Sequence, residues 1–141
     1  GLSGLAIVPD ASSPPNPPAS WGAFMGAVTA QSIPMGPTYG VFRLGEGGLT
    51  WYAPGLVVPE SVAVAAPFER FSLPAMRTAQ ATYVGPFDGL STAWGDFMAA
   101  VEAAGHKRDR AAICFEHYIE HNENPALCRT LLAVPLVADA Q

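Results

Sequence analysis

The octapeptide Trp21-Gly22-Ala23-Phe24-Met25-Gly26-Ala27-Val28 returns as Trp94-Gly95-Asp96-Phe97-Met98-Ala99-Ala100-Val101, with six of eight positions identical. In a chain of 141 residues, a near-copy of this length restricts the fold to one that uses a unit of about seventy residues twice. The same offset carries Phe42 onto Phe115. With a shift of three residues, Leu56-Val57-Val58-Pro59 is matched by Leu132-Ala133-Val134-Pro135. We read a single domain, 1–141, with repeat one at about 1–66 and repeat two at about 67–141. Copies of one unit pack about a pseudo-two-fold axis, and a concave site tends to form at their seam.

Composition narrows the function classes. Half of the residues are hydrophobic and only 13% are charged, well below the usual quarter, so the chain has much apolar surface to place in a core, a pocket or an interface. A net charge of −5 argues against direct nucleic-acid contact, which needs a basic patch. It mildly favours cationic small molecules. Cys114 and Cys128 make no disulfide framework. They stand too far apart along one hairpin to bridge, and two free thiols point to a reducing, cytoplasmic compartment. No apolar run is long enough for a transmembrane helix. Gly1 in place of Met fits an excised domain, a tag scar or processing, which leaves open an upstream DNA-binding domain.

Along the chain, Leu5 to Val8 reads as a strand and Ala11 to Ser20, with four prolines, as a loop. Asn16-Pro17 is an N-cap and first helical residue, opening a helix that carries Trp21, Phe24, Met25 and Val28 on one stripe. Strands follow at Thr38 to Leu44 and Leu49 to Val58 around a turn at Gly45-Glu46-Gly47-Gly48, with a bend or bulge expected at Pro54-Gly55. Val62 to Ala66 is a short extended connection. Phe68 to Thr82 reads as a long strand interrupted at Leu73-Pro74. A second helix runs from about Leu90 to Ala104 and ends at Gly105. Ala111 to His121 and Cys128 to Leu136 make a hairpin. Each half is then strand–helix–strand–strand, an α+β pattern.

The strand ending Tyr83-Val84-Gly85-Pro86-Phe87, the amphipathic helix after it, Phe115-Glu116-His117-Tyr118, and Arg129-Thr130 leading to Pro135 together resemble the gyrase-inhibitor-like (GyrI-like) domain. That domain is also the effector-binding module of multidrug-sensing transcription activators. The resemblance covers nearly the whole chain and is strongest from Leu73 to Val137. It implies two strand–helix–strand–strand repeats forming an antiparallel sheet, with helices on one face and a ligand groove on the other. It also implies lipophilic, drug-like and often cationic ligands. Some family members look like hydrolases of reactive small molecules, and others bind a protein target. The family commonly places an acidic residue after the Arg-Thr pair, reaching into the groove; here that residue is Leu131, which leaves Glu116.

Strand alternation puts Phe115, His117 and Ile119 on one face and Glu116, Tyr118 and Glu120 on the other. Because Phe115 matches Phe42, the first set is placed under the helices, so that Glu116 and Tyr118 face the groove. A carboxylate among hydrocarbon has a raised pKa and can serve as ligand anchor, acid or base; the plainer reading is a solvated or Arg-paired strand residue. Arg43 matches Glu116 across the axis, as a partner or as a solvated cation. Tyr39, Trp51, Tyr52, Tyr83 and Phe87 are candidate aromatic walls for a flat lipophilic ligand. Trp21, Phe24, Trp94 and Phe97 sit at helical spacing and read mainly as core. His117 and His121, four apart on a strand, are separated by about 13 Å and cannot share a metal. No catalytic triad, phosphate loop or dinucleotide fingerprint is present, and no cofactor is implied. Three readings follow: a small-molecule-binding module, a hydrolase using Glu116 and Tyr118, and a protein-binding inhibitor. Oligomeric state is left open.

Overall fold

A computed structural model describes residues 2–12, 14–45 and 48–137. The elements run β1 (Leu2–Ile7), α1 (Pro17–Ala30), β2 (Thr38–Gly45), β3 (Gly48–Val57), β4 (Glu69–Leu73), β5 (Thr78–Val84), α2 (Leu90–Ala103), β6 (Cys114–Glu120) and β7 (Arg129–Pro135). The fold is α+β: two helices and one antiparallel seven-stranded sheet of order β4-β1-β3-β2-β6-β7-β5. Apart from β4, this order reads alike from either side of the β2–β6 seam. At the seam Gly40 pairs with Glu116 and Thr38 with Tyr118.

Local chemistry sets the helix ends. The Asn16 side chain accepts from the Ala19 N–H at 3.3 Å, and Pro17 and Pro18 occupy the first turn, where no intrahelical donor is needed. Just upstream, the Asp10 carboxylate accepts from the Ser20 hydroxyl, the Ser12 N–H at 2.6 Å and the Asn16 N–H at 2.7 Å. These bonds, Ser20's first, hold its pKa well below the usual carboxylate range. Gly105 follows α2 with φ +84°, and the His106 N–H returns to the Val101 carbonyl at 3.2 Å.

The helices lie on one sheet face. Phe24 and Val28 of α1 pack with Ala6, Leu56, Val58 and Phe68. Trp94, Phe97, Met98 and Val101 of α2 pack with Phe42, Tyr52, Cys114 and Val134. The other face carries Leu5, Ile7, Val41, Ala53 and Leu73, with Tyr39, Trp51, Phe71, Met76, Ile113 and Phe115 around them. Val41 and Ala53 are fully buried there although no helix covers them. Sheet curvature explains this. Strands β4 and β5 are the two edges, yet only Pro74 to Arg77 join them. Five extended steps reach at most about 18 Å, whereas six strand spacings of a flat sheet make about 29 Å. The sheet must therefore curl, and its inner face closes on its own side chains.

Several expectations are corrected. The strand expected over Phe68 to Thr82 is interrupted after Leu73 as expected, but its two parts, β4 and β5, lie at opposite edges of the sheet. Pro54-Gly55 keeps register, opposite Gly40 and Tyr39, and the irregularity falls between Arg43 and Leu44 instead. Glu46 and Gly47, at the expected hairpin tip, lie outside the described residues. Phe42 and Phe115 are on opposite faces, Phe42 edge-on to Trp94 and Phe115 beside Tyr39. Cys114 and Cys128 are both buried free thiols.

Candidate functional site

The two helices do not meet over the seam. Between them lies a cavity of about 970 Å³, within the range of small-molecule sites. Its floor is the helix-facing side of the sheet: Phe42, Tyr52, Glu116 and Tyr118. Pro17, Pro18, Trp21 and Met25 of α1 form one wall; Leu90, Ser91 and Trp94 of α2 form the other. Met35, Phe87 and His121 stand at the rim. The cavity is thus on the helix side of the sheet, which corrects the expected groove on the opposite face. On that face Leu5, Ile7, Val41, Ala53 and Leu73 pack together with partly buried aromatic side chains around them.

Each tryptophan is the fifth residue of its helix and directs its indole N–H at the floor. Trp21 Nε1–H donates to Tyr52 Oη at 2.7 Å, and Trp94 Nε1–H donates to Glu116 Oε2 at 2.8 Å. Tyr118 donates to Glu116 Oε1 at 2.8 Å, and the Tyr52 and Tyr118 hydroxyls lie 3.3 Å apart. One polar array therefore crosses the seam in a mostly apolar cavity. Tyr118 also packs edge-on against Trp21 and Phe87, which stacks on His121.

Burial dominates the electrostatics. Glu116 is 7% exposed. Desolvation pushes its pKa up, against the bonds from Trp94 and Tyr118 that favour the anion. Burial pushes Tyr52 up to about 12, and burial plus the Glu116 charge takes Tyr118 well above its ordinary value. Both phenols keep their protons at physiological pH. Among the described residues lining the cavity, Glu116 is the only acid, and none is Lys or Arg.

Of the residues singled out from sequence, Tyr52, Phe87, Glu116 and Tyr118 come together here. Five do not line the cavity. Tyr39 stacks on His117 at 4.3 Å and Trp51 lies against Phe71, both on the inner face. Arg43 donates to the Ala111 carbonyl at 2.6 Å, so it does not pair with Glu116. Tyr83 donates to the Pro86 carbonyl. Leu131 pairs with His117 and so shares the inner face. Sequence reasoning missed Trp21 and Trp94, which it assigned mainly to core, the wall residue Met25, and the rim residues Met35 and His121. The signal for the tryptophans was their recurrence in both helices, since a buried indole N–H requires an acceptor. His121 arrives because the β6–β7 register shifts between Tyr118 and Glu120.

Comparisons with known proteins agree with this architecture. SAV2435 bound to tetraphenylphosphonium has a similar fold, with TM-score 0.65 and 10% identity, covering 97% of this chain and 90% of that one. A hydrolase from Listeria innocua encoded by lin2189 superposes with TM-score 0.57 and 13% identity, over 94% and 86%. EcmrR in its DNA complex gives TM-score 0.62 and 17% identity, over 96% of this chain but 55% of EcmrR. No curated protein sequence matches the chain. No helix is long and apolar enough to cross a membrane. The family model described as the GyrI-like small molecule binding domain matches residues 11–137. The chain belongs to the GyrI-like small-molecule-binding domain family.

Proposed function

We propose that the chain binds lipophilic, drug-like molecules, cationic ones among them, in the cavity between its two repeats, with Tyr52, Phe87, Glu116, Tyr118, Trp21 and Trp94 as contact residues. The observation that carries this reading is a buried carboxylate on the floor of an aromatic cavity whose described lining holds no Lys or Arg, with His121 only at the rim. Such a group costs free energy when ionised without a counter-charge. A cationic guest supplies that charge, and the aromatic rings supply area with little loss of rotamer freedom. The tetraphenylphosphonium held by SAV2435 is a ligand of this kind. The similarity to EcmrR supports an effector-sensing role joined to transcription control in a larger protein. The buried thiols support a reducing, cytoplasmic setting.

The hydrolase reading is weaker. Each Glu116 oxygen already accepts a hydrogen bond, and the Tyr118 proton is engaged by the carboxylate. Each carboxylate oxygen keeps a second lone pair for a water or substrate proton, whereas the Tyr118 proton reaches a substrate only by leaving Glu116. The test is calorimetric titration with tetraphenylphosphonium and with neutral triphenylmethane. Saturable binding of the cation, weakened in Glu116→Gln, supports the proposal. Absence of heat and of any thermal shift with both compounds refutes it.

A further inference from the structure

The polar array on the cavity floor has a direction that the protonation state of Glu116 reverses. An indole N–H only donates, and a phenol carries a single proton. With Glu116 ionised, one assignment satisfies every donor: Trp21 to Tyr52, Tyr52 to Tyr118, and Tyr118 and Trp94 to the carboxylate. With Glu116 protonated on Oε1, the carboxyl donates to Tyr118 and Tyr118 to Tyr52. Tyr52 Oη then accepts from both Tyr118 and Trp21. Its own proton has no acceptor among the described residues, and it is left for a guest in the cavity that Tyr52 lines. Gly40 makes this coupling possible, because a Cβ there would lie 2.7 Å from Tyr118 Oη and 2.8 Å from Tyr52 Oη.

We propose, resting on the small-molecule reading above, that the cavity takes a second ligand class. These are neutral lipophilic hydrogen-bond acceptors, such as phosphine oxides, sulfoxides and aryl ketones, recognised by the Tyr52 hydroxyl when Glu116 carries a proton. Burial of Glu116 makes the protonated form accessible in milder acid than for a solvated carboxyl. Among the described residues, the other titratable groups around it are Tyr118 and Cys114 on β6, Tyr52 on β3 and His121 at the rim; no ionisable side chain of α1, α2, β2 or β7 lines the cavity. Both tyrosines keep their protons, and burial raises Cys114 to about 11. His121 is removed in the test.

In a His121→Asn background, affinities for triphenylphosphine oxide, triphenylmethane and tetraphenylphosphonium are measured by tryptophan quenching between pH 5 and pH 8. The phosphine oxide should bind roughly three- to tenfold more tightly at the acid end, one neutral hydrogen bond's worth. The cation should weaken there, and triphenylmethane should not change. Tyr52→Phe should abolish the pH dependence of the phosphine oxide, with triphenylmethane measured in the same variant as the reference that has no pH dependence to lose. Tyr118→Phe cuts Tyr52 off from Glu116, so the phosphine oxide should then bind alike at both pH values. Phosphine oxide affinity that ignores pH with the array intact, or a pH dependence that survives Tyr52→Phe, overturns the proposal. If none of the three probes binds, the small-molecule reading falls and this one with it. If the cation binds through Glu116 while the phosphine oxide ignores Tyr52, this proposal alone fails.

Discussion

Gly40→Ala should be among the most costly single-methyl additions in the molecule. The new Cβ would meet two hydroxyls at 2.7 and 2.8 Å, so each must retreat by roughly 0.6–0.7 Å to reach ordinary van der Waals contact. Neither can do so freely. Tyr52 Oη is held by Trp21 at 2.7 Å and Tyr118 Oη by Glu116 at 2.8 Å. Overpacking a filled site costs about 1–3 kcal/mol. Losing the Tyr52–Tyr118 bond adds about 0.5–1.5 kcal/mol, for an expected destabilisation of about 2–4 kcal/mol. The same substitution at Gly22, Gly26 or Gly95 should have the opposite sign. Those glycines lie within the helices, where an added methyl would meet nothing within 4 Å, and Ala there should stabilise by roughly 0.5–1 kcal/mol. Urea unfolding with a common slope measures all four variants. Tetraphenylphosphonium affinity, read in the same samples, should fall only for Gly40→Ala. A Gly40→Ala protein within about 0.5 kcal/mol of the parent, with unchanged cation affinity, would refute the reasoning.

Three further outcomes are expected. Burial holds the Glu116 pKa above its ordinary 4.5, so the folded state binds that proton more tightly than the unfolded one. This contribution to stability is complete below the unfolded value and is lost as pH rises through the folded pKa. Glu116→Gln should therefore flatten the decline in melting temperature above pH 4.5, and an unaltered slope counts against a buried, titrating carboxyl. Thr130 is fully buried and its Oγ1 has no partner among the described residues; Thr130→Val should stabilise by about 1 kcal/mol in denaturant unfolding, and a loss of stability would mean the hydroxyl is engaged. Leu131→Glu, on the inner face beside His117, should leave cation affinity within about twofold in a folded variant by calorimetry; tighter binding would mean that position 131 reaches the cavity.

Local signals in the chain read well where they describe local physics. Asn16-Pro17 specifies a helix start that the structure reproduces atom for atom, and Gly105 marks a helix end. Alternation correctly separates Glu116 and Tyr118 from Phe115 and His117. It does not say which set lies beneath the helices, because a period of two carries no sign. The match of Phe42 to Phe115 supplies a sign, and the wrong one. A one-residue slip in strand equivalence inverts every side chain, and Phe42 proves to share its face with Glu116. The pairing of Glu116 and Tyr118 in one site was legible, whereas the side of the sheet on which it lies was not. The curl was equally hidden. It follows from the short Pro74–Arg77 link only once β4 and β5 are known to be opposite edges, which is non-local information. Tyr39, Trp51 and Tyr83 are aromatic and near strands, but their chemistry does not distinguish an inner core from a cavity wall.

The β2–β6 seam also bears on the order in which the chain can assemble. Hairpins β2–β3 and β6–β7 join near neighbours, whereas the seam joins Phe42 to Cys114 and Thr38 to Tyr118, pairs separated by 72 and 80 positions. Closing so large a loop costs chain entropy before any contact repays it, so the hairpins are expected to form early and the seam late. Trp21 and Tyr52 come from one side of the seam, and Glu116, Tyr118 and Trp94 from the other. A chain still emerging from the ribosome has no cavity until β6 is made and docked on β2. In a refolding experiment, quenching of tryptophan by a bound cation should lag behind the far-ultraviolet signal, so the ligand would report completion of the final step and would be blind to every state before it.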